Sequence, residues 1–188
     1  MNVDPAALRI QIYPAESLRT PGTPVEPSDE VAAVAARMIA LMRGAEGIGL
    51  AAPQVGLAWR LFVCHVPPEP GQAPDQAARA SGPAETTAEP VVCLNPRITA
   101  AEGEPTAYAE GCLSLPGITG DVDRPPTVTM TATGLSGEPF ELHATGLLAR
   151  CVQHEIDHID GVLIIDRMSE RSKSKAAGQI RALERARR

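Results

Sequence analysis

Gln153-His154-Glu155-Ile156-Asp157-His158-Ile159-Asp160-Gly161 carries the pattern H-E-x-x-H, two imidazoles four residues apart with a glutamate between them. On a helix, residues four apart stack on one face. Two neutral ring nitrogens then reach one divalent metal, and the carboxylate stands close by as a base. The flanking residues support a helix over 146–160. Thr145 stands at the N-cap, and Gly161 stands where a left-handed residue ends a helix. With residues ~100° apart around the axis, Leu147, Leu148, Cys151, Val152, Ile156 and Ile159 cover one broad arc. Arg150, Gln153, Asp157 and Asp160 lie on the other side, and both histidines fall at the margin of the apolar arc. A metal there would sit where core meets solvent. The same pattern also occurs on ordinary amphipathic helices, so the rest of the chain has to decide between the two.

A chain of 188 residues is expected to form one domain with a substantial core. Aromatics make up only 3% of it, so that core must be aliphatic. The net charge of −6 hides an asymmetry: residues 167–188 hold eight Lys/Arg against two Glu, a net of +6, which leaves −12 on residues 1–166. A basic helical tail on an acidic body suits an acidic partner such as RNA. It equally suits a solvated helix whose basic end is favoured by the helix dipole. No apolar run approaches the ~20 residues of a transmembrane helix, and Met1 to Ile10 lacks the apolar stretch of a secretory signal. Cys64, Cys93, Cys112 and Cys151 form no C-x-x-C pair, which fits free thiols in a reducing cytoplasm.

Residues 2–27 are broken by prolines. Ser28 is the expected cap of a core helix over 29–43, with Val31, Val34, Ala35, Met38, Leu41 and Met42 at helical spacing. Residues 44–56 are dense in Gly and Ala, with Gln54 the one polar side chain near the end of that run. Glycine there lets backbone approach a ligand, although a plain loop fits equally. Strands are expected at 60–66, at 91–94 ended by Asn95-Pro96, at 127–133 and at 139–143, with a turn around 134–137. Between the first two, residues 67–90 hold six prolines and almost no large apolar groups, the composition of a flexible surface insertion. Strands first and the main helix late argue for an α+β fold. The expected sheets are antiparallel or mixed, packed around the H-E-x-x-H helix, with a further C-terminal helix.

Two histidines leave a metal short of ligands, since a catalytic site usually has three protein donors and one open position. The extended pattern with a third histidine fails, because position 164 is Ile164. Glu170 and Glu184 are the only downstream glutamates, both in the charged tail, and no histidine follows His158. Upstream, Cys112 is the best donor, beside Gly111, which permits close approach. His65 and His143 are rivals in expected strands. Cys64, Cys93 and Cys151 lie in apolar settings, where cysteine commonly acts as a small hydrophobe.

Three stretches together resemble the signature motifs of peptide deformylases, in that family's order: Gly47 to Gln54, Glu110-Gly111-Cys112-Leu113-Ser114, and His154 to His158. The resemblance covers nearly the whole chain. It includes the opening from Tyr13-Pro14 to Pro24-Val25 and the helical C-terminal extension of the bacterial type. The insertion at 67–90 is longer than that family's usual connection. The resemblance implies a hydrolase that removes the formyl group from formyl-methionine of nascent polypeptides. It implies Cys112, His154 and His158 as ligands of one divalent metal, ferrous iron in cells, with zinc, nickel or cobalt as other occupants. It implies Glu155 as the acid–base group, and Gln54 with the Leu113 backbone N–H as donors to the oxyanion. Ile48 and Gly49 would offer backbone to an extended peptide, and Gly111 would line its path. Leu147, Cys151 and Ile48 would line the methionine pocket, a role compatible with plain core packing. A ribosome contact through the tail and a cytoplasmic setting follow, with no membrane and no specific DNA. A zinc endopeptidase, resting on H-E-x-x-H alone, is the alternative and needs a third ligand other than Cys112. A non-catalytic metal module would instead close the site with a fourth side chain.

Overall fold

The structure, a computed structural model, describes residues 3–68 and 83–186. Helix α1 (Asp29–Gly44) starts as its sequence dictates: the Ser28 hydroxyl accepts from the Val31 N–H at 3.3 Å, and Asp29 and Glu30 occupy the positive end of the helix dipole. Strands β1 (Gly49–Ala51), β2 (Leu61–Cys64), β3 (Val91–Glu102), β6 (Thr127–Thr133) and β7 (Pro139–Thr145) form one sheet in the order β1-β2-β3-β6-β7. Strands β4 (Thr106–Gly111) and β5 (Thr119–Arg124) form a second, and every described strand pair is antiparallel. Helix α2 (Gly146–Ile159) carries H-E-x-x-H, followed by the short α3 (Ile164–Arg167) and by α4 (Glu170–Ala186).

Alternation along β2 explains how the layers pack. Leu61 and Val63 point to one face and join Val34, Met38 and Met42 of α1 in one core. Phe62 and Cys64 point to the other face and join Leu148, Val152 and Ile159 of α2 in a second. Each such fully buried side chain contributes roughly 1.5–3 kcal/mol over an exposed one. A third core, with Leu18, Leu115, Ile118, Val122 and Met168, lies under α4, where Ser172 and Ala176 face inward.

Several expectations need correction. Strand β3 does not end at Asn95-Pro96 but runs to Glu102, with a register shift between Leu94 and Arg97. Asn95 takes a left-handed φ of 51°, and its amide pairs with the Val25 N–H and carbonyl at 2.9 Å each, so the break is absorbed as a bulge. Strands β4 and β5 were not expected as strands at all. The stretch 83–90 is held to the body rather than loose. Ala84 exchanges backbone bonds of 2.8 Å with His143 and Thr145 on the outer edge of β7, and Thr87 pairs with Val66 and His65. That edge strand carries backbone donors and acceptors that need partners, and this segment supplies them. Residues 69–82 of the expected insertion lie outside the described residues.

The N-cap of α2 also differs. Thr145 has the extended backbone of a cap, but its hydroxyl bonds the Pro126 carbonyl and the Thr127 hydroxyl instead of a helix N–H. The other end is as expected. Gly161 has φ +76°, its N–H bonds the His158 carbonyl at 3.1 Å, and the Val162 N–H bonds the Asp157 carbonyl at 2.8 Å. A Cβ at Gly161 would also lie 2.8 Å from the Arg19 carbonyl oxygen, so glycine is required twice over.

Candidate active site

The face of α2 opposite the apolar arc is buried except at Asp160. Arg150, Gln153 and Asp157 are each 8% exposed, while Leu147, from the apolar arc, is 43% exposed. The polar side is enclosed because β4, β5 and the start of the tail bring partners to it. Arg124 of β5 donates to Glu110 at 2.7 and 3.0 Å and to Asp157 at 2.8 Å, and Arg167 holds Asp157 at 2.7 and 3.2 Å. Buried charges persist only when paired in this way.

Cys112 follows β4 directly and meets the helix there. Its Sγ lies 3.2 Å from His158 Nε2, and the donor atoms of Cys112, His154 and His158 all lie within 4.8 Å of one another. Donors around a tetrahedral zinc-type ion, with metal–sulfur and metal–nitrogen bonds of about 2.3 and 2.1 Å, stand about 3.6 Å apart. Among the described residues no other group of three such side chains converges. His65 and His143 are spent elsewhere, His65 on Thr87 and His143 on Thr129 and Glu141.

The electrostatics fit a cation at this point. Burial alone would lower the His154 pKa, but hydrogen bonds to Cys112 and Glu110 outweigh it and raise it to about 10. The Cys112 sulfur that draws a proton there suits a metal as well. Burial, with the charges of His154 and Arg124, holds His158 well below the usual imidazole value, so it is a neutral ligand. Glu110 Oε2 takes Nδ1 of His154 at 3.2 Å, which leaves the other ring nitrogen for an ion. Among the described residues, Glu155 Oε2 and His158 Nδ1 are buried with no hydrogen-bond partner. Burial also pushes the Glu155 carboxyl up to about 8 against the pull of His154. A carboxyl of raised pKa beside three metal donors can accept and return a proton near neutrality. Thiolate and imidazole donors suit zinc, iron, cobalt or nickel, so the residues fit a divalent transition metal.

A cleft of about 490 Å³ opens onto this cluster, and Ile48, Gly49, Gln54, Gly111, Cys112, Leu113, Leu147, Cys151, His154 and Glu155 all line it. His158 lies beneath, 1% exposed. Gln54 sits in a 3-10 turn over Ala52–Val55; its Oε1 accepts from the Ala51 N–H at 2.8 Å, which aims Nε2 at Cys112 Sγ (3.7 Å) and Ser114 Oγ (3.2 Å). The Ile48 carbonyl is already taken by the His65 N–H and the Cys151 thiol. A Cβ on Gly49 would stand 2.3 Å from Glu155 Oε1, so β1 reaches the glutamate only as glycine. Leu147 stands at the mouth of the cleft and Cys151, 4% exposed, at its floor.

A family model described as polypeptide deformylase matches residues 7–174. The chain belongs to the peptide deformylase family. Peptide deformylase 2 of Gloeobacter violaceus is 47% identical over 75% of this chain and 67% of its own length. Peptide deformylase of Acinetobacter baumannii is 38% identical over 97% of this chain and 94% of its own. Among solved structures, plant peptide deformylase 1B superposes with a TM-score of 0.85 at 32% identity, covering 99% of this chain and 93% of that one. A deformylase from Synechococcus elongatus, solved with actinonin, gives 0.77 at 34% identity, over 94% and 87%. Peptide deformylases are metal-dependent hydrolases that remove the N-terminal formyl group of nascent polypeptides, and this chain is such an enzyme. The endopeptidase alternative is not favoured, since its third ligand was to lie away from Cys112.

Glu110, Arg124 and Asp157 carried no role in the sequence reading. One signal was available: Glu110 and Cys112 are two apart at the end of a strand, a spacing that puts both on one face.

Proposed function

We propose that residues 1–188 form one catalytic domain that hydrolyses the formyl amide of formyl-methionyl chains at the Cys112-His154-His158 centre. The convergence of Cys112 with both histidines carries this reading. When bound there, a divalent metal supplies Lewis acidity and lowers the pKa of water from about 15.7 towards 7. Glu155 removes a proton from the attacking water. The water oxygen joins the formyl carbon, the carbon–nitrogen bond breaks, and Glu155 returns a proton to the leaving amine, giving formate and a free N-terminus. The Gln54 amide and the Leu113 backbone N–H donate to the formyl oxygen as it becomes negative. Each such donor is worth about 10²–10³ in rate.

The substrate lies extended along β1. The Ile48 carbonyl already serves β2, and alternation in an antiparallel ladder turns the next residue, Gly49, to the cleft side. Ile48, Leu147 and Cys151 bound the methionine pocket, and Gly111 keeps the opposite wall low. Iron(II) is the metal in cells, with zinc, nickel and cobalt as other occupants of the same donors. The enzyme works in the cytoplasm; no described helix is long and apolar enough to cross a membrane. The exposed Arg171, Lys175, Arg181 and Arg185 of α4 meet ribosomal RNA.

Anaerobically purified protein, analysed for metal and assayed for formate release from formyl-Met-Ala-Ser, tests the reading. Release with about one divalent ion per chain supports it, and no release from iron- or nickel-loaded protein refutes it.

A further inference from the structure

Three cysteines lie outside the metal group, and they share one core: Cys64 of β2, Cys93 of β3 and Cys151 of α2. Cys64 and Cys93 are fully buried. Cys151 lines the cleft and keeps a small open surface there, so it is the member of the trio that a molecule in the cleft can touch.

Backbone geometry brings Cys151 to Cys64. Gly49 of β1 stands opposite Cys64 of β2. The His65 N–H bonds the Ile48 carbonyl, so 48 and 65 form a hydrogen-bonded pair. Residues 49 and 64 then form the close pair beside it, with Cα atoms about 4.5 Å apart and side-chain positions on one face. Gly49 has no side chain, and a Cβ built on it would lie 2.8 Å from Cys151 Sγ. The Cys151 thiol therefore fills that vacant place beside Cys64, and the two sulfurs are hydrogen-bond partners.

Cys93 is the third sulfur, but strand geometry keeps it from bridging to Cys64. It faces Phe62, while Cys64 faces Val91, two residues away. Such diagonal neighbours stand about 7–8 Å apart, beyond the Cα separation of about 7 Å that a disulfide spans. Its contribution is electrostatic. Hydrogen bonds from Cys151 and Cys93 hold the Cys64 thiol well below its usual value. The hydrogen bond to Cys64, together with burial, pushes Cys151 well above it. Cys64 is thus the sulfur of the trio that gives up its proton most readily, which suits it to attack another sulfur.

We propose that Cys151 and Cys64 form an oxidisable pair at the floor of the cleft, with hydrogen peroxide as oxidant and a Cys64–Cys151 disulfide as product. Peroxide is close to water in size, so it can reach a thiol with so small an opening. The Cys151 sulfur takes one peroxide oxygen, the O–O bond breaks, and the thiol proton leaves with the other oxygen as water. The Cys64 sulfur then attacks the Cys151 sulfur, the S–O bond breaks, and hydroxide leaves with the Cys64 proton as a second water. Two thiols lose two electrons in all, and one peroxide gains them. Cys151 holds its proton tightly, so the first step is slow and calls for millimolar peroxide.

The bond would draw Cys151 Sγ away from the Ile48 carbonyl, which it meets at 3.4 Å, and tie α2 to β2. The methionine pocket then loses one contact at its floor. This consequence rests on the deformylase reading above; the disulfide itself does not.

The test treats zinc-loaded protein, in which Cys112 is a metal ligand, with peroxide, alkylates the remaining thiols, and maps the digest by mass spectrometry. A peptide pair joined through Cys64 and Cys151, 2 Da below the sum of its parts and parted by dithiothreitol, is expected. Cys64→Val should give no linked pair and leave Cys151 as a sulfenic acid that dimedone traps. Cys93→Val should still link, but more slowly. Linked wild type should show KM for formyl-Met-Ala-Ser raised about three- to fivefold, the worth of one lost apolar contact, and dithiothreitol should restore it. Cys151 left reduced, oxidised without linkage in the wild type, or joined to Cys93 or Cys112 overturns the proposal. An unchanged KM in fully linked protein removes the pocket consequence. Absence of formate before any peroxide is added instead defeats the deformylase reading, with the mass result still deciding the pair.

Discussion

Glu110 Oε2 stands 3.2 Å from Nδ1 of His154, and the same carboxylate accepts from Arg124 at 2.7 and 3.0 Å. Strand β4 thus orients a ring carried by α2, through a residue outside the Cys112-His154-His158 group. Removing such a partner typically costs 10–100-fold in metal affinity. Glu110→Gln keeps the shape but weakens the acceptor, so we expect a loss of about tenfold in competition against a chromophoric chelator. Unchanged affinity would show that the ring needs no such support.

Glu155 has a buried oxygen without a hydrogen-bond partner and lies outside the converging Cys112-His154-His158 group. Glu155→Ala should retain close to one metal per chain and lose about 10²–10⁴ in kcat, the usual worth of an acid–base group. Formate release at the wild-type rate would remove the residue from the chemistry.

Gly49→Ala puts a methyl group 2.3 Å from Glu155 Oε1 and 2.8 Å from Cys151 Sγ. Either β1 or the glutamate must move, and a 1 Å misplacement costs up to about 10² in rate. The expected result is a fall in kcat with metal content unchanged. Full activity in the variant would mean that this close approach is not used.

Burial would raise the Glu110 carboxyl, but His154 and Arg124 outweigh it and hold its pKa at about 2, against an ordinary 4.5. The folded value lies below the unfolded one, so this stabilisation is complete above pH 4.5 and is lost as pH falls towards 2. It amounts to about 3 kcal/mol. Metal-free protein should therefore lose stability between pH 4.5 and 2 in urea unfolding, and Glu110→Gln should flatten that loss. An equal slope in both proteins would contradict the assignment.

The tail needs a substitution rather than a deletion. Ser172 and Ala176 are buried against the third core, so removing 169–188 would uncover Ile118 and Val122. Replacing the exposed Arg171, Lys175, Arg181 and Arg185 by alanine leaves that packing intact. We expect formyl-Met-Ala-Ser turnover to stay within about twofold while co-sedimentation with ribosomes weakens and loses salt dependence. Unaltered co-sedimentation would exclude this surface.

Local order was legible because its causes are local. Ser28 caps α1, Gly161 ends α2 with its left-handed backbone, and the alternating 127–133 run is a strand over those same residues. The H-E-x-x-H spacing put two imidazoles on one face without any tertiary information. Periodicity reports which side of a helix is polar, but not what will pack there. That is why Arg150 and Asp157 were read only as lying away from the apolar arc, without the Glu110, Arg124 and Arg167 that meet them across the gap.

The sequence by itself determined the helix that carries the metal motif, its end at Gly161, and a donor set in which Cys112 was the strongest third member. Only the tertiary structure decided that Cys112 reaches His158, 46 positions further along the chain, that Glu110 holds His154, and that Tyr108 and Leu147 line one cleft. Those pairings depend on how β4 and β5 dock against α2, a long-range arrangement set by shape and buried charge that no local pattern along the chain encodes.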